Sequence, residues 1–120
     1  MRPAKDELKS LLPLSPATLH ILLALAVEDR HGYGIMQEIA RQSAGQYKLG
    51  PGTLYDNLKK LMQQGLIEET SARSPSDDPR RRYYRLKGLG RTVLAMEVDR
   101  LEEVLREARS HLRALKPRRT

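Results

Sequence analysis

The segment from Gly52 to Gly90 constrains the fold of this chain more than any other part, because four structural signals follow one another in it. It begins with a short amphipathic helix whose leucines repeat at spacings of four and three, and a glycine ends this helix. A strand-like run over 66–70 follows, then a loop rich in proline, serine and aspartate over 71–81, then a basic strand over 82–86. The buried stripe of the helix is predicted to consist of Leu54, Leu58 and Leu61. The segment therefore predicts a helix followed by a β-hairpin with a polar tip.

The charge of the chain is concentrated beside that hairpin. The formal net charge is +7, yet residues 1–70 carry as many acidic as basic side chains, so the whole excess lies in 71–120. A cationic hairpin next to an exposed helix is the layout of a winged helix-turn-helix, in which the helix enters the DNA major groove and the wing lies on the phosphates. An ordinary solvated surface with surplus arginine is the simpler alternative, and the position of the excess on the wing argues against it.

Two further helices are predicted before this segment. Ser15-Pro16 is a helix start, with serine as N-cap and proline in the first turn, and that helix is predicted to run to about Arg30. Its side chains are apolar on nearly every side, which indicates burial on more than one face. A turn over 31–34 leads to a second helix over 35–43, and 46–49 is predicted as a short strand or extended turn. Residues 1–14 are predicted as a loose arm or a short helix.

The last predicted helix, over 89–115, carries an apolar seam with alternating spacings of four and three. Such a narrow heptad seam on a terminal helix indicates a partner helix and predicts a homodimer. The predicted dimerisation residues are Leu94, Val98, Leu101, Leu105, Ala108, Leu112 and Leu115.

Composition disfavours several other classes of protein. The chain has no cysteine, and its three histidines lack helical ligand spacing, so neither a metal site nor a cofactor is expected. No nucleophile elbow, phosphate loop or clustered polar pocket can be assembled, so the chain is not expected to be an enzyme. No apolar run is long enough for a membrane span, and no signal-like segment begins the chain, so a cytoplasmic location is expected.

The motifs in this order resemble the PadR family of transcriptional regulators, in its short form with one carboxy-terminal dimerisation helix. The residues that carry the resemblance are His31-Gly32-Tyr33-Gly34, Gly52-Thr53-Leu54-Tyr55, Leu58, Leu61, Gly65-Leu66-Ile67, Arg82-Tyr83-Tyr84-Arg85-Leu86 and Gly90-Arg91. The resemblance implies a repressor that binds double-stranded DNA and responds to a small-molecule effector of unidentified structure. Lys87 departs from the threonine or serine usual at the start of the last helix, and the tryptophan that grips planar drugs in some relatives is missing.

Candidate DNA contacts come from the third helix and the end of the wing. Asparagine reads adenine, lysine reaches guanine or phosphate, and arginine is drawn to a narrow minor groove. The predicted DNA-binding residues are Thr53, Tyr55, Asn57, Lys59, Lys60, Arg80, Arg81 and Arg82. On the second strand of the hairpin, Tyr84 and Leu86 are predicted to face the core, with Tyr83 and Arg85 on the other side.

The predicted fold class is mainly α, an α+β winged helix-turn-helix followed by a long dimerisation helix. The predicted divisions are an arm over 1–14, the DNA-binding domain over 15–88, the dimerisation helix over 89–115 and a basic tail over 116–120. A near-palindromic operator is expected for the dimer. The alternative function is a winged-helix module that binds protein without specific DNA binding. That module would favour an apolar or acidic third-helix face, which Lys59 and Lys60 contradict.

Overall fold

The computed structural model describes residues 5–71, 78 and 80–115 of the 120-residue chain. The predicted basic tail over 116–120 and most of the predicted wing loop lie outside the described residues. The elements are α1 (Lys5–Lys9), α2 (Pro16–Val27), β1 (Arg30–His31), α3 (Gly32–Gln42), α4 (Pro51–Gln63), β2 (Ile67–Thr70), β3 (Tyr83–Leu86) and α5 (Gly88–Ala114). The predicted fold class, mainly α with a small hairpin and a long last helix, is confirmed.

Helix α2 is the centre of the core, as its apolar composition predicted. Ser15 caps it by accepting a hydrogen bond from the Thr18 amide, and Pro16 occupies the first turn. Ile21 and Leu22 are fully buried, and the helix contacts α3, α4, α5 and β3. The apolar stripe of α4 packs in the same core, with Leu54, Leu58 and Leu61 buried as predicted.

The sheet has three strands, and the sequence predicted only two of them. Its order is β1-β3-β2, with both pairs antiparallel. Residues 30–31 were predicted as a helix end and a turn, whereas they form β1 against Tyr83 and Tyr84. A two-residue strand is too short to show a periodicity in the sequence. It forms because it pairs with the free edge of β3. Arg30 stabilises this strand through a hydrogen bond to the Ala24 carbonyl and an ion pair with Glu38.

Near the added strand, the structure differs from two other predictions. Helix α3 begins at Gly32 instead of Ile35, because the side chain of His31 caps it by accepting a hydrogen bond from the Gly34 amide. Tyr83 was predicted to face away from the core with Arg85, yet it is only 8% exposed and its ring meets His31 edge to face. Residues 46–49 were predicted as a short strand or an extended turn. They form no strand, so the extended turn is the alternative that remains.

Helix α5 docks by its first turns and then leaves the domain. Gly90 is required here, since a Cβ at this position would overlap the Leu66 carbonyl oxygen. Lys87 starts the helix with extended backbone angles and no side-chain cap, so the missing threonine or serine is not replaced by another capping side chain. Beyond residue 97, every described side chain except that of Arg100 is exposed.

The N-terminal segment contains a short helix, one of the two predicted alternatives. Over the described residues 5–14 it contains α1, and Leu8 is buried in the main core. The carboxylate of Glu97 accepts a hydrogen bond from the Leu14 amide at 2.9 Å, which ties this segment to α5. Within the described ranges, no helix is both long and apolar enough to cross a membrane.

Candidate nucleic-acid interface

One face of α4 is open to solvent and polar. Its apolar stripe is buried, and the residues between those leucines point away from the core. The predicted contact residues that are exposed on α4 are Thr53, Tyr55, Lys59 and Lys60. Asp56 shares this exposed surface. Two lysines against one aspartate leave the face with a net positive charge, as a surface that meets phosphate requires.

Asn57 is placed differently from the other predicted contact residues. It is half-buried, its Nδ2 donates to the Thr53 carbonyl at 2.8 Å, and its Oδ1 accepts from the Thr18 hydroxyl at 3.4 Å. The amide therefore links α4 to the start of α2. To read a base, it would have to exchange these contacts for new ones.

Tyr55 crosses from α4 to the first turn of α3. Its ring atom Cζ lies 2.9 Å from the point where a Cβ would stand on Gly32, and its hydroxyl lies closer still. Only glycine at position 32 lets the phenol lie against the α3 backbone. The side chain is nonetheless half-exposed, so it is both packed and accessible. The glycine in the His31-Gly32-Tyr33-Gly34 motif thus positions a predicted DNA-binding residue, a relation that sequence spacing alone does not show.

The three arginines at the end of the wing differ in their partners. Arg80 lies 3.3 Å from Asp78, and its backbone amide lowers the pKa of that carboxyl together with its side chain. Arg82 lies 3.4 Å from Glu69 on the neighbouring strand. Among the residues that the structure describes, Arg81 forms no ion pair with a carboxylate, and its Nη1 lies 3.3 Å from His31 Nε2. Arg81 therefore differs from the other two in lacking an ion pair with a described carboxylate, although its charge also lowers the pKa of Asp78.

These side chains meet in one cleft of about 320 Å³, which we call the wing cleft. Its lining comprises His31, Gly32, Tyr33, Tyr55, Arg80, Arg81, Arg82 and Tyr84. The cleft thus joins the start of α3, the exposed face of α4 and the end of the wing on one side of the molecule. Tyr84 was predicted only as a core residue, and its position in the cleft has no signal in the sequence.

The predicted dimer seam is exposed over most of its length. Val98 is 39% exposed, and exposure rises along the helix to 69% at Leu115. Leu94 differs, because it is buried in the core of its own chain. The exposed seam therefore consists of Val98, Leu101, Leu105, Ala108, Leu112 and Leu115. A row of exposed aliphatic side chains on one helix face marks an interaction surface.

The polar groups near this seam are already engaged within the chain. Glu97 is 1% exposed and pairs with Arg100 at 2.5 Å, and that hydrogen bond is the main reason its pKa lies below the ordinary carboxyl value. His20 stacks on Tyr47 and lies 3.1 Å from the Gln42 amide nitrogen. His111 is exposed and lies near Glu107. No group of three or more histidines and carboxylates within the described ranges is arranged to hold a metal ion.

Comparison with known proteins identifies the family. Residues 21–96 match the model of the transcriptional regulator PadR-like family. The chain is 38% identical over 89 residues to Transcriptional regulator Rv3488 of Mycobacterium tuberculosis, which covers 74% of this chain and 78% of that protein.

Solved structures share the fold of this chain. A PadR family transcription regulator from Clostridium difficile R20291 superposes with a TM-score of 0.70 at 23% identity, covering 82% of this chain and 99% of that one. A PadR-like transcription factor from Bacteroides fragilis superposes with a TM-score of 0.64 at 27% identity, covering 89% and 99%. On the family match and on the mycobacterial relative, this chain belongs to the PadR-like family of transcriptional regulators.

Proposed function

We propose that the chain is a homodimeric repressor that binds a specific, near-palindromic site in double-stranded DNA. The observation that carries the proposal is the wing cleft, since it brings the exposed face of α4 and the arginines of the wing to one side of the molecule. In a winged helix-turn-helix, the cationic wing beside the helix fixes the position of that helix on the phosphates.

Within this proposal the predicted residues have different tasks. Thr53, Lys59 and Lys60 reach the groove and its edges from α4, because their side chains are exposed. Arg80, Arg81 and Arg82 contact the phosphates or the adjacent minor groove. Tyr55 and Asn57 stand between the protein interior and the DNA, so their substitution would affect both the position of α4 and its contacts.

The dimer supplies the spacing between half-sites. We place the partner's α5 against the exposed seam from Val98 to Leu115, whose heptad spacing suits a second helix. Two α4 helices related by a twofold axis would then enter successive major grooves about 34 Å apart. A repressor of this kind blocks transcription by occupying its site. A small-molecule effector would release it by favouring a dimer geometry with a different spacing.

Selection from a pool of random duplexes tests the proposal directly. The wild-type protein should enrich an inverted repeat, and log Kd for the selected duplex should rise steeply and linearly with log salt concentration. The variant Lys59→Ala/Lys60→Ala should bind more weakly, whereas Arg91→Ala, at an exposed arginine outside the wing cleft, should bind as the wild type does. Enrichment of no sequence, with no salt dependence, would contradict the proposal and favour a protein-binding module.

A further inference from the structure

We propose that the wing cleft is a preformed binding site for one backbone phosphate of the DNA, with the Tyr84 hydroxyl as the hydrogen-bond donor at its base. This inference rests on the proposed DNA-binding function and adds a residue that sequence analysis placed only in the core. Tyr84 adds a fixed hydrogen-bond donor to the arginines, which distinguishes a specific binding site from a surface that is only positively charged.

The Tyr84 ring is buried while its hydroxyl remains available. The side chain is 4% exposed and belongs to the main core, yet it also lines the wing cleft. Its hydroxyl forms no hydrogen bond with any described residue. No enclosed side-chain polar atom of the described residues lacks a partner, and Tyr84 lines the cleft, so in the proposed site its hydroxyl opens into the cleft. A donor held at the base of a cleft by a buried ring has little freedom to turn elsewhere, and its natural partner is an incoming acceptor.

The surroundings keep that hydroxyl protonated. Burial is the main cause that raises the pKa of Tyr84, and the negative charge of Glu69 and the nearby Tyr55 phenol raise it further. The group therefore stays a donor at any pH at which the protein would bind DNA. A donor in a cationic cleft selects for an anionic oxygen over a neutral one.

Positive charge lines the cleft on two elements, while the strongest charge effect on the pKa of Tyr84 itself comes from Glu69. Arg81 approaches from the wing, and among the described residues no carboxylate pairs with it. The first turn of α3 approaches from the other side, so the positive end of the helix dipole faces the cleft at Gly32 and Tyr33. The contact of His31 with Arg81 joins these two walls. Glu69 is the acidic group nearest to Tyr84, and Arg82 pairs with it.

Tyr55 completes the site and connects it to α4. Its phenol lies against Gly32, and it lines the cleft opposite the arginines. A phosphate held here would be bound by groups from α3, α4 and the wing together. The site would therefore fix the angle at which α4 enters the groove, which is a task that a contact from one element cannot perform.

The test removes the Tyr84 hydroxyl from the protein and the charge of one backbone phosphate from the DNA, first separately and then together. Tyr84→Phe keeps the ring and deletes the hydroxyl, and Tyr47→Phe deletes the hydroxyl of a half-buried tyrosine that does not line the cleft. The duplex selected by the wild-type protein is prepared with single neutral methylphosphonates at each backbone position. Kd is measured by fluorescence anisotropy, and thermal unfolding verifies that both variants are folded.

Tyr84→Phe should weaken binding of the dimer to the unmodified duplex at least about 100-fold, because each of the two half-sites loses one hydrogen bond to a charged group, and Tyr47→Phe less than about twofold. One methylphosphonate position per half-site should weaken the wild type strongly and Tyr84→Phe less, because only Arg81 and the first turn of α3 still attract that phosphate in the variant. If Tyr84→Phe binds as the wild type does, or keeps the wild-type sensitivity at every phosphate, the phosphate site is wrong while the proposed function stands. If the wild type binds no duplex at all, the proposed function fails and the phosphate site fails with it.

Discussion

The two halves of α5 carry one continuous heptad pattern but meet different surroundings. In the first half, Gly90, Val93, Leu94 and Glu97 are buried against the core of the same chain. In the second half, from Val98 onward, the apolar residues of the pattern are all exposed. The same spacing of side chains therefore serves folding in one half and, in our proposal, assembly in the other.

In our proposal, the second half of α5 depends on a partner for its stability. An isolated helical segment of this length is marginal in water, because its own hydrogen bonds barely offset the loss of chain entropy. A partner helix on the seam would bury the aliphatic side chains and stabilise the segment by the hydrophobic effect. Substitutions in the two halves should consequently have different signatures.

The largest expected effect is in the second half. Leu105→Lys places a charge in the proposed seam, where burial without a counter-charge is costly, so the dimer should separate into monomers. Specific DNA binding should fall by at least about 100-fold, because the two half-sites are no longer bound together. Sedimentation equilibrium and anisotropy measure the two effects. Ser110→Lys, which adds the same charge on the exposed opposite face, should leave both unchanged. A Leu105→Lys protein that remains dimeric would show that the seam is not the dimer interface.

An intermediate effect is expected in the first half. Glu97→Ala leaves the Leu14 amide without its acceptor and Arg100 without its partner, and should lower the free energy of unfolding by about 1–3 kcal/mol. Glu103→Ala, at an exposed carboxylate paired with Arg106, should cost less than about 0.5 kcal/mol. Chemical denaturation at constant protein concentration measures both. Equal losses in the free energy of unfolding for the two variants would show that the buried link between the N-terminal segment and α5 stabilises the fold no more than an exposed ion pair does.

The same link predicts a pH dependence of stability. The pKa of Glu97 is lowered in the folded protein, chiefly by the Arg100 hydrogen bond, so folding favours the charged form. Its stabilisation is present above the ordinary carboxyl pKa of about 4.3 and is lost as pH falls through the lowered value. Glu97→Gln should therefore flatten the acid side of the stability profile relative to the wild type. An unchanged slope in the variant would contradict the assignment.

A smaller effect connects the seam to the wing. If each half-site receives one phosphate contact from Arg81, Arg81→Ala should reduce the slope of log Kd against log salt by about two units in the dimer. In the Leu105→Lys monomer, the same substitution should reduce it by about one unit. Gel shifts at several salt concentrations measure both slopes. The same change of slope in dimer and monomer would show that the wing does not act once per half-site.

The smallest expected effect is the response to planar drugs. The chain contains neither tryptophan nor phenylalanine, and the exposed seam is aliphatic, so a flat polyaromatic molecule finds no ring on the seam on which to stack. Titration of the dimer with such a drug should leave its tyrosine fluorescence and its DNA affinity unchanged. Stoichiometric quenching with loss of DNA binding would contradict this prediction and assign the exposed seam a ligand as well as a partner.

Local patterns in the sequence predicted the parts of the fold that depend on local structure. The stripe of α4, the Ser15 cap and the extent of α5 follow from residue spacing and capping chemistry, and all were found. The strand β1 could not be predicted, because it exists only beside β3. The burial of Glu97 was missed for a similar reason, since it depends on where the segment before Pro16 docks.

The candidate site shows the same division. Spacing predicted the exposed residues of α4, whose accessibility follows from the buried stripe between them. The contacts of Asn57 with Thr18, of Tyr55 with Gly32 and of Arg81 with His31 join residues far apart in the chain, so no local pattern contains them. The cleft position of the Tyr84 hydroxyl belongs to this second group.

Sedimentation equilibrium of the wild-type protein at micromolar concentration tests whether the exposed half of α5 binds a second copy of the chain. We expect a particle of twice the 13.7 kDa chain mass for the wild type, and a single-chain mass for Leu105→Lys under the same conditions. A wild-type protein that sediments as a 13.7 kDa monomer would contradict it, because the exposed half of α5 would then have no second copy to cover it.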